Sequence, residues 1–238
     1  MKYQTIIEER HGAVARLITN RPQYKNAQSR LMIEELDHAF AVANADDEVR
    51  VIILAAAGDT FSSGHDIGTP EQKEDMRQRP VPKKVSGQYA LSRSLFLDAT
   101  LRWRNLDKPT IAQVQGKCIF GGWMFAAAMD LIVAADDAQF LPALMQYFSV
   151  PWDIPLRKAK EAMFRSRFIS AEEACRLGFV NYVVPRVQLE TETMALAREI
   201  ADKHVVTKIA LTDLVEKSAR DENLQPDEIR TLARLANV

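Results

Sequence analysis

The sequence predicts a layered α/β fold. Three observations carry that prediction: β-branched apolar runs alternate with stretches of helical periodicity, the order strand–helix–strand recurs in two successive units, and glycines stand where two of the apolar runs end. At the N-terminus "YQTIIEE" and "AVARLIT" read as short strands joined at His11-Gly12, a hairpin. The loop "NRPQYKNAQS" follows. From Arg30 to Ala43, Leu31, Ile33, Leu36, Phe40 and Val42 fall near helical spacing, and "VRVIILAAAG" is dense enough in apolar and β-branched residues to be a buried strand. Residues 69–87 mix charge with three prolines and little periodicity, which predicts a mobile loop. Helix resumes from about Tyr89 to Asn105. The second unit runs from the strand "PTIAQVQG" through a glycine pair and the small-residue helix "WMFAAAMD" to the strand "LIVAAD". Further on, "SAEEACRLG" has Ser170 and Glu173 at capping-box spacing and Gly178 as a stop, "FVNYVVP" reads as a strand, and the tail from Val187 is helical with a break at 204–206.

Composition excludes several classes of function. The chain has 238 residues, 47% of them apolar, enough for a substantial core. Thirty-one basic against 32 acidic residues, a formal charge of −1, give no bulk attraction for nucleic acid or an anionic membrane. The most apolar stretch, "FAAAMDLIVAA", is interrupted by Asp130 and is far shorter than the roughly 20 residues of a membrane span. The opening "MKYQTIIEER" lacks the apolar core of a secretory signal. With only Cys118 and Cys175, the expected location is a reducing cytoplasm. His11, His38, His65 and His204 lie far apart, and no metal-ligand spacing, phosphate-cradling loop, dinucleotide fingerprint or nucleophile elbow is present.

Two backbone features remain. "FSSGHDIG" follows the strand ending at Ala57 and "CIFGGWMF" follows the strand ending at Gly116. Each puts glycine where the chain leaves a sheet, so main-chain amides can point outward unobstructed, and two such amides can hold one oxygen. Gly121 and Gly122 also open an apolar helix, whose positive end would face the same point. Either bend alone also reads as an ordinary glycine turn.

Taken in order, "NRPQYKNA", "FSSGHDI", "KPTIAQVQGKCIFGGWMFAAAMDLIVAADDAQF" and "ISAEEACRLGFVNYVVP" resemble the successive signatures of the crotonase superfamily, the enoyl-CoA hydratase/isomerase family. The resemblance implies a spiral core of repeated ββα units over residues 1–186 and a C-terminal helical region for trimerisation or a lid over 187–238, shorter here than in the family. It implies an acyl-CoA substrate, no cofactor beyond the coenzyme A of the thioester, and assembly as a homotrimer or a dimer of trimers. It further implies that the amides of His65 and Gly121 form an oxyanion hole, and that the backbone near Tyr24, Lys25, Ala27 and Ser62 lines the nucleotide and pantetheine path. Lys25 could meet a phosphate or be a solvated loop lysine.

The chain departs from that pattern at the acids. By the resemblance, one hydratase glutamate falls at Met124 and the other at the Ala143 of Pro142-Ala143. Two carboxylates that activate water and return its proton are therefore missing from those places. Asp153, between Trp152 and Ile154, could replace them or cap a helix; Tyr147 could donate a proton or pack; the His65 side chain could act as a base or stay in its loop. Asp66 and Asp130 match structural positions, and Trp103 and Trp123 could shape an acyl pocket or belong to the core. The expected function is acyl-CoA chemistry through an enolate or oxyanion (isomerisation, hydrolysis or decarboxylation rather than glutamate-pair hydration), with a non-catalytic acyl-CoA-binding or scaffold homologue as the alternative.

Overall fold

The computed structural model describes residues 2–142 and 150–203. Its architecture follows from the strand β3 (Val51–Ala56), which is buried at every position and so must be covered on both faces. Among the described residues, β1 (Ile6–His11), β2 (Val14–Thr19), β3, β4 (Thr110–Val114), β6 (Leu131–Ala135) and β9 (Tyr182–Val184) form one sheet in the order β1-β2-β3-β4-β6-β9. The hairpin β1/β2 is antiparallel, turning at Gly12, and every later pairing in this sheet is parallel. A second sheet holds β5 (Lys117–Ile119), β7 (Gln139–Leu141) and β8 (Ile169–Ser170).

The two sheets are threaded by one repeated path. The chain passes from β4 to β5 and then into α5 (Gly121–Ala127), and from β6 to β7 and then toward α6 (Val150–Asp153) and α7 (Leu156–Arg165). After β3 the chain joins the second sheet through a parallel bridge between Ser62 and Cys118. The sequence reading did not resolve β5 and β8 because strands of two or three residues carry no periodicity to detect.

Alternation along β3 sends Ile52, Leu54 and Ala56 into a core with Leu36 and Phe40 of α1 (Arg30–Ala45), Trp103, Trp123 and Phe140. Val51, Ile53 and Ala55 pack instead with Leu189, Met194, Ala197 and Ala201 of α9 (Leu189–Ala201). Helix α1 starts where Ser29 Oγ accepts the Met32 amide at 3.2 Å. In α8 (Ala171–Arg176) Ser170 Oγ accepts the Glu173 amide, while the Glu173 carboxylate turns to Arg167, so only half of the predicted capping box forms. Asp130 accepts the Thr110 amide and hydroxyl at 2.7 and 2.8 Å, the structural role expected of it. Trp103 and Trp123 are fully buried.

Two expectations are corrected. Residues 69–87 are not a continuous mobile loop: Thr69 caps α2 (Pro70–Gln78), its hydroxyl accepting the Gln72 amide, with Pro70 at the first helical position where a missing N–H costs nothing. Helix then resumes at α3 (Val85–Ser92), earlier than Tyr89, and runs through a π-helical segment (Arg93–Asp98) into α4 (Ala99–Arg104). Asp153 is not a helix N-cap; it ends α6, and Pro155 precedes α7.

Candidate functional site

The segment 62–66 runs between the loop 26–28 and β5. Ser62 faces β5, its amide donating to the Lys117 carbonyl at 3.0 Å and its carbonyl accepting from Ile119 at 2.9 Å. On the opposite edge Gln28 donates to the Gly64 carbonyl (2.8 Å) and accepts from the Asp66 amide (3.0 Å). Gln28 thus bonds both residues flanking His65, so the N–H and C=O of His65 itself point away from Gln28, as alternation in a parallel pairing requires. That is the side on which α5 begins.

At the start of α5 the Gly121 amide has no carbonyl one turn back to receive it. Phe120, immediately before, holds φ 49° and ψ −108°, a strained bend of the kind that costs on the order of 1–3 kcal/mol. The bends touch at their glycines. A Cβ on Gly64, whose φ is +93°, would stand 3.4 Å from the Gly121 nitrogen; one on Gly121 would overlap Gln28 Oε1 and stand 2.7 Å from His65 Cδ2. Only glycine allows that approach. The amides of His65 and Gly121 therefore lie on neighbouring bends, and among the described residues neither donates to a backbone carbonyl of the surrounding loops.

The His65 ring stacks on Phe96 of the π-helical segment, 3.6 Å between centroids and 21° between planes. Its Nε2 is buried with no hydrogen-bond partner among the described residues. Burial pushes the imidazole down to about 4, so it is neutral at pH 7. Next to it, Asp66 closes the loop: it accepts from Arg21 Nη1 at 2.8 Å, from the Thr69 hydroxyl and amide, and from the Gly68 amide. Burial alone would raise its pKa, and these hydrogen bonds outweigh burial and hold it below the ordinary carboxylate value. Arg21 also donates to the Ala27 carbonyl, and the Asn26 side chain ties the loop to the Ala57 and Thr60 carbonyls.

Of the residues expected along a coenzyme path, Ser62 and Ala27 are buried in the wall beside His65, with Ser62 Oγ donating to the Asn26 carbonyl. Lys25 is exposed in a left-handed conformation and Tyr24 lies under the Arg21 guanidinium. Asp153 Oδ2 accepts from the indole of Trp123 at 2.8 Å, and that indole stacks on Phe179. Tyr147 lies outside the described residues. Met124, one turn along α5 from Gly121, lines a hollow of about 50 Å³ with Leu97, Leu101, Ala127 and Ala128. Among the described residues no group of three or more His, Cys, Asp or Glu could hold a metal ion, and no helix is long and apolar enough to cross a membrane.

Sequence reasoning missed Gln28, Phe96, Arg21 and Asn26. For Arg21 and Asn26 a signal existed, since both lie in the quoted stretch "NRPQYKNA". Gln28 and Phe96 carried none, because their proximity to Gly121 and His65 exists only in the fold.

The sequence model described as enoyl-CoA hydratase/isomerase matches residues 9–232. The chain belongs to that family. Within it, EchA13 of Mycobacterium tuberculosis, which carries an enoyl-CoA hydratase name, is 36% identical over 92% of this chain and 74% of its own length. Among solved structures, a probable enoyl-CoA hydratase from Mycobacterium smegmatis superposes with a TM-score of 0.82 at 34% identity, covering 98% of this chain and 92% of that one. An enoyl-CoA hydratase/isomerase from Xanthobacter autotrophicus Py2 gives 0.81 at 31% identity, covering 99% and 86%. The mixed α/β architecture is that of the crotonase superfamily, as the resemblance implied.

Proposed function

We propose that this protein processes acyl-CoA thioesters by stabilising an enolate or oxyanion with the main-chain amides of His65 and Gly121. The observation that supports the reading is the meeting of the two glycine bends, where both amides are without backbone acceptors among the described residues. Donors fixed before reaction are worth about 3–4 kcal/mol each when charge develops on the oxygen they face. The Arg21–Asp66 network holds the bend at His65 in place, so little reorganisation is needed there. In this reading the loop at Tyr24, Lys25, Ala27 and Ser62 carries the coenzyme.

The reaction is one that needs an oxyanion hole and one further acid or base: isomerisation, thioester or carbon–carbon hydrolysis, or decarboxylation, rather than hydration by a glutamate pair. Met124 offers no carboxylate at the first hydratase place. Asp153, with its carboxylate oriented by the Trp123 indole, and Tyr147 are the proposed acid and base. We further propose a cytoplasmic homotrimer or dimer of trimers, with residues 187–238 as the trimerisation or lid region beside the 1–186 core.

A second reading, an acyl-CoA-binding homologue without activity, is favoured by the packing of the Gln28 side chain and the His65–Phe96 stack beside Gly121. A panel of CoA thioesters separates the two readings. Product detected by mass spectrometry supports the enzyme, a raised melting temperature without product supports the binder, and neither response to any thioester rejects both.

A further inference from the structure

From Thr69 to Asp98 no side chain is buried, and the charges of this stretch and of α4 behind it are unequally satisfied. Each of its carboxylates has a cation: Glu71 pairs with Arg21, Glu74 with Arg77, Asp75 with Arg30 and Arg79, and Asp98 with Arg93. Arg102 is held by Asp37 of α1. Lys73, Lys83, Lys84 and Arg104 are exposed and, among the described residues, pair with no carboxylate. A chain with a formal charge of −1 thus carries a stretch whose unpaired charge is wholly positive. Apolar side chains stand beside those lysines. Val85 and Tyr89, one turn apart on α3, are 81% and 53% exposed. Solvation accounts for the lysines but not for an apolar pair turned to water, and the two together have the anatomy of a protein-binding surface. The helix sets where that surface lies. α3, the π-helical segment and α4 follow without a break, so Lys84 is twelve residues, about 18 Å of helix, from the Phe96 that stacks on His65.

We propose that the α3 face, with Lys83, Lys84, Val85 and Tyr89, docks an acidic carrier protein that presents the acyl chain on a phosphopantetheine arm, so that the site takes carrier-bound thioesters as well as those of coenzyme A. This rests on the thioester reading above and extends it to what lies beyond the arm. The arm is chemically the same in both, and the amides of His65 and Gly121 would meet the same carbonyl from either. Only the far end differs. A nucleotide offers phosphates and one base, which a short loop can satisfy. An acidic helix offers a row of carboxylates beside apolar side chains, and it is this second pattern that two free lysines next to Val85 and Tyr89 complement. The unpaired lysines would also draw such a partner in by long-range attraction.

Calorimetric titration in dilute buffer tests the face, with butyryl-CoA, butyryl-pantetheine and a small acidic acyl carrier protein charged with butyrate through its phosphopantetheine arm. The wild type should bind the charged carrier about tenfold or more tightly than butyryl-pantetheine. The double substitution Lys83→Glu/Lys84→Glu should lower the carrier's affinity by about tenfold or more, leave butyryl-CoA and butyryl-pantetheine within about twofold, and leave the melting temperature unchanged. Val85→Ser, with both lysines intact, should weaken the carrier alone. A charged carrier that binds no better than butyryl-pantetheine, or whose affinity survives the charge reversal, overturns the docking face and leaves the acyl-CoA reading standing. An equal loss of butyryl-CoA affinity on charge reversal would make the lysines coenzyme contacts and overturns it too. So does binding of phosphatidylserine vesicles that the charge reversal abolishes while the carrier shows no preference, which would give the face to a membrane. Binding of none of the thioesters overturns both readings.

Discussion

His65 presents its amide to the candidate site and its ring to Phe96, and the two environments have separable consequences. The folded ring titrates near 4, against about 6.5 for an exposed histidine. Between those values the unfolded chain takes up a proton that the folded ring refuses. Stability is therefore full above about pH 6.5 and declines as pH falls toward 4, by at most about 3 kcal/mol. Urea unfolding at pH 7 and pH 4.5 should show that decline in the wild type and a smaller one in His65→Phe. Asp153 invites a different experiment. If it serves as the base, Asp153→Asn should lower turnover by about 100-fold or more while thioester affinity stays nearly constant. Unchanged turnover would reduce Asp153 to the acceptor of the Trp123 indole. At this scale the glycines were legible in the sequence, because their backbone role is written in their residue type. Gln28 was not, since a glutamine ahead of a helix looks like any loop residue until Gly121 is folded against it.

Among the elements, the loops at 21–28 and 62–69 depend most on a single pair. Arg21 and Asp66 are almost wholly buried and 2.8 Å apart, and Asp66 also accepts the amides of Gly68 and Thr69 that lead into α2. Asp66→Ala leaves the guanidinium buried beside an unfilled space and should cost about 3–5 kcal/mol in chemical denaturation. Because the Asp66 pKa lies below the ordinary carboxylate value, its contribution is complete above about pH 4 and is lost only in stronger acid. That window lies below the one set by His65, so the two residues separate in a pH series. Helix α2 itself was missed from sequence because its polar, charged residues bury no side chain and show no apolar stripe. Its signal was local, the Thr69-Pro70 start. The π-helical turn carrying Phe96 lies inside the helix expected from about Tyr89 to Asn105, and only its contact with His65 had no signal in the sequence.

Across the whole molecule, the sheet separates two apolar layers with different duties. The layer under α1 continues through Trp123 and Phe125 of α5 toward the glycine bends, whereas the layer under α9 closes the opposite face. Ala197 is fully buried against that face. Ala197→Leu should overpack it and reduce stability by about 1–3 kcal/mol in urea titration, yet leave thioester affinity unchanged. Coupled losses of stability and affinity would show that the layers are not independent. The doubly buried strands were legible from sequence as continuous apolar runs. Their order, and the small second sheet that brings residues 62–66 beside residues 117–121, depend on long-range pairings with no local signature.

The two amides are tested most directly by isotope-edited infrared spectroscopy of butyryl-CoA labelled with carbon-13 at the thioester carbonyl. Two hydrogen bonds to that oxygen should lower the carbonyl stretching frequency on binding to the wild type, and the shift should largely disappear in Gly121→Ala, where a Cβ collides with Gln28 and His65. A bound thioester whose carbonyl band stays at its free-solution frequency in the wild type would contradict the account.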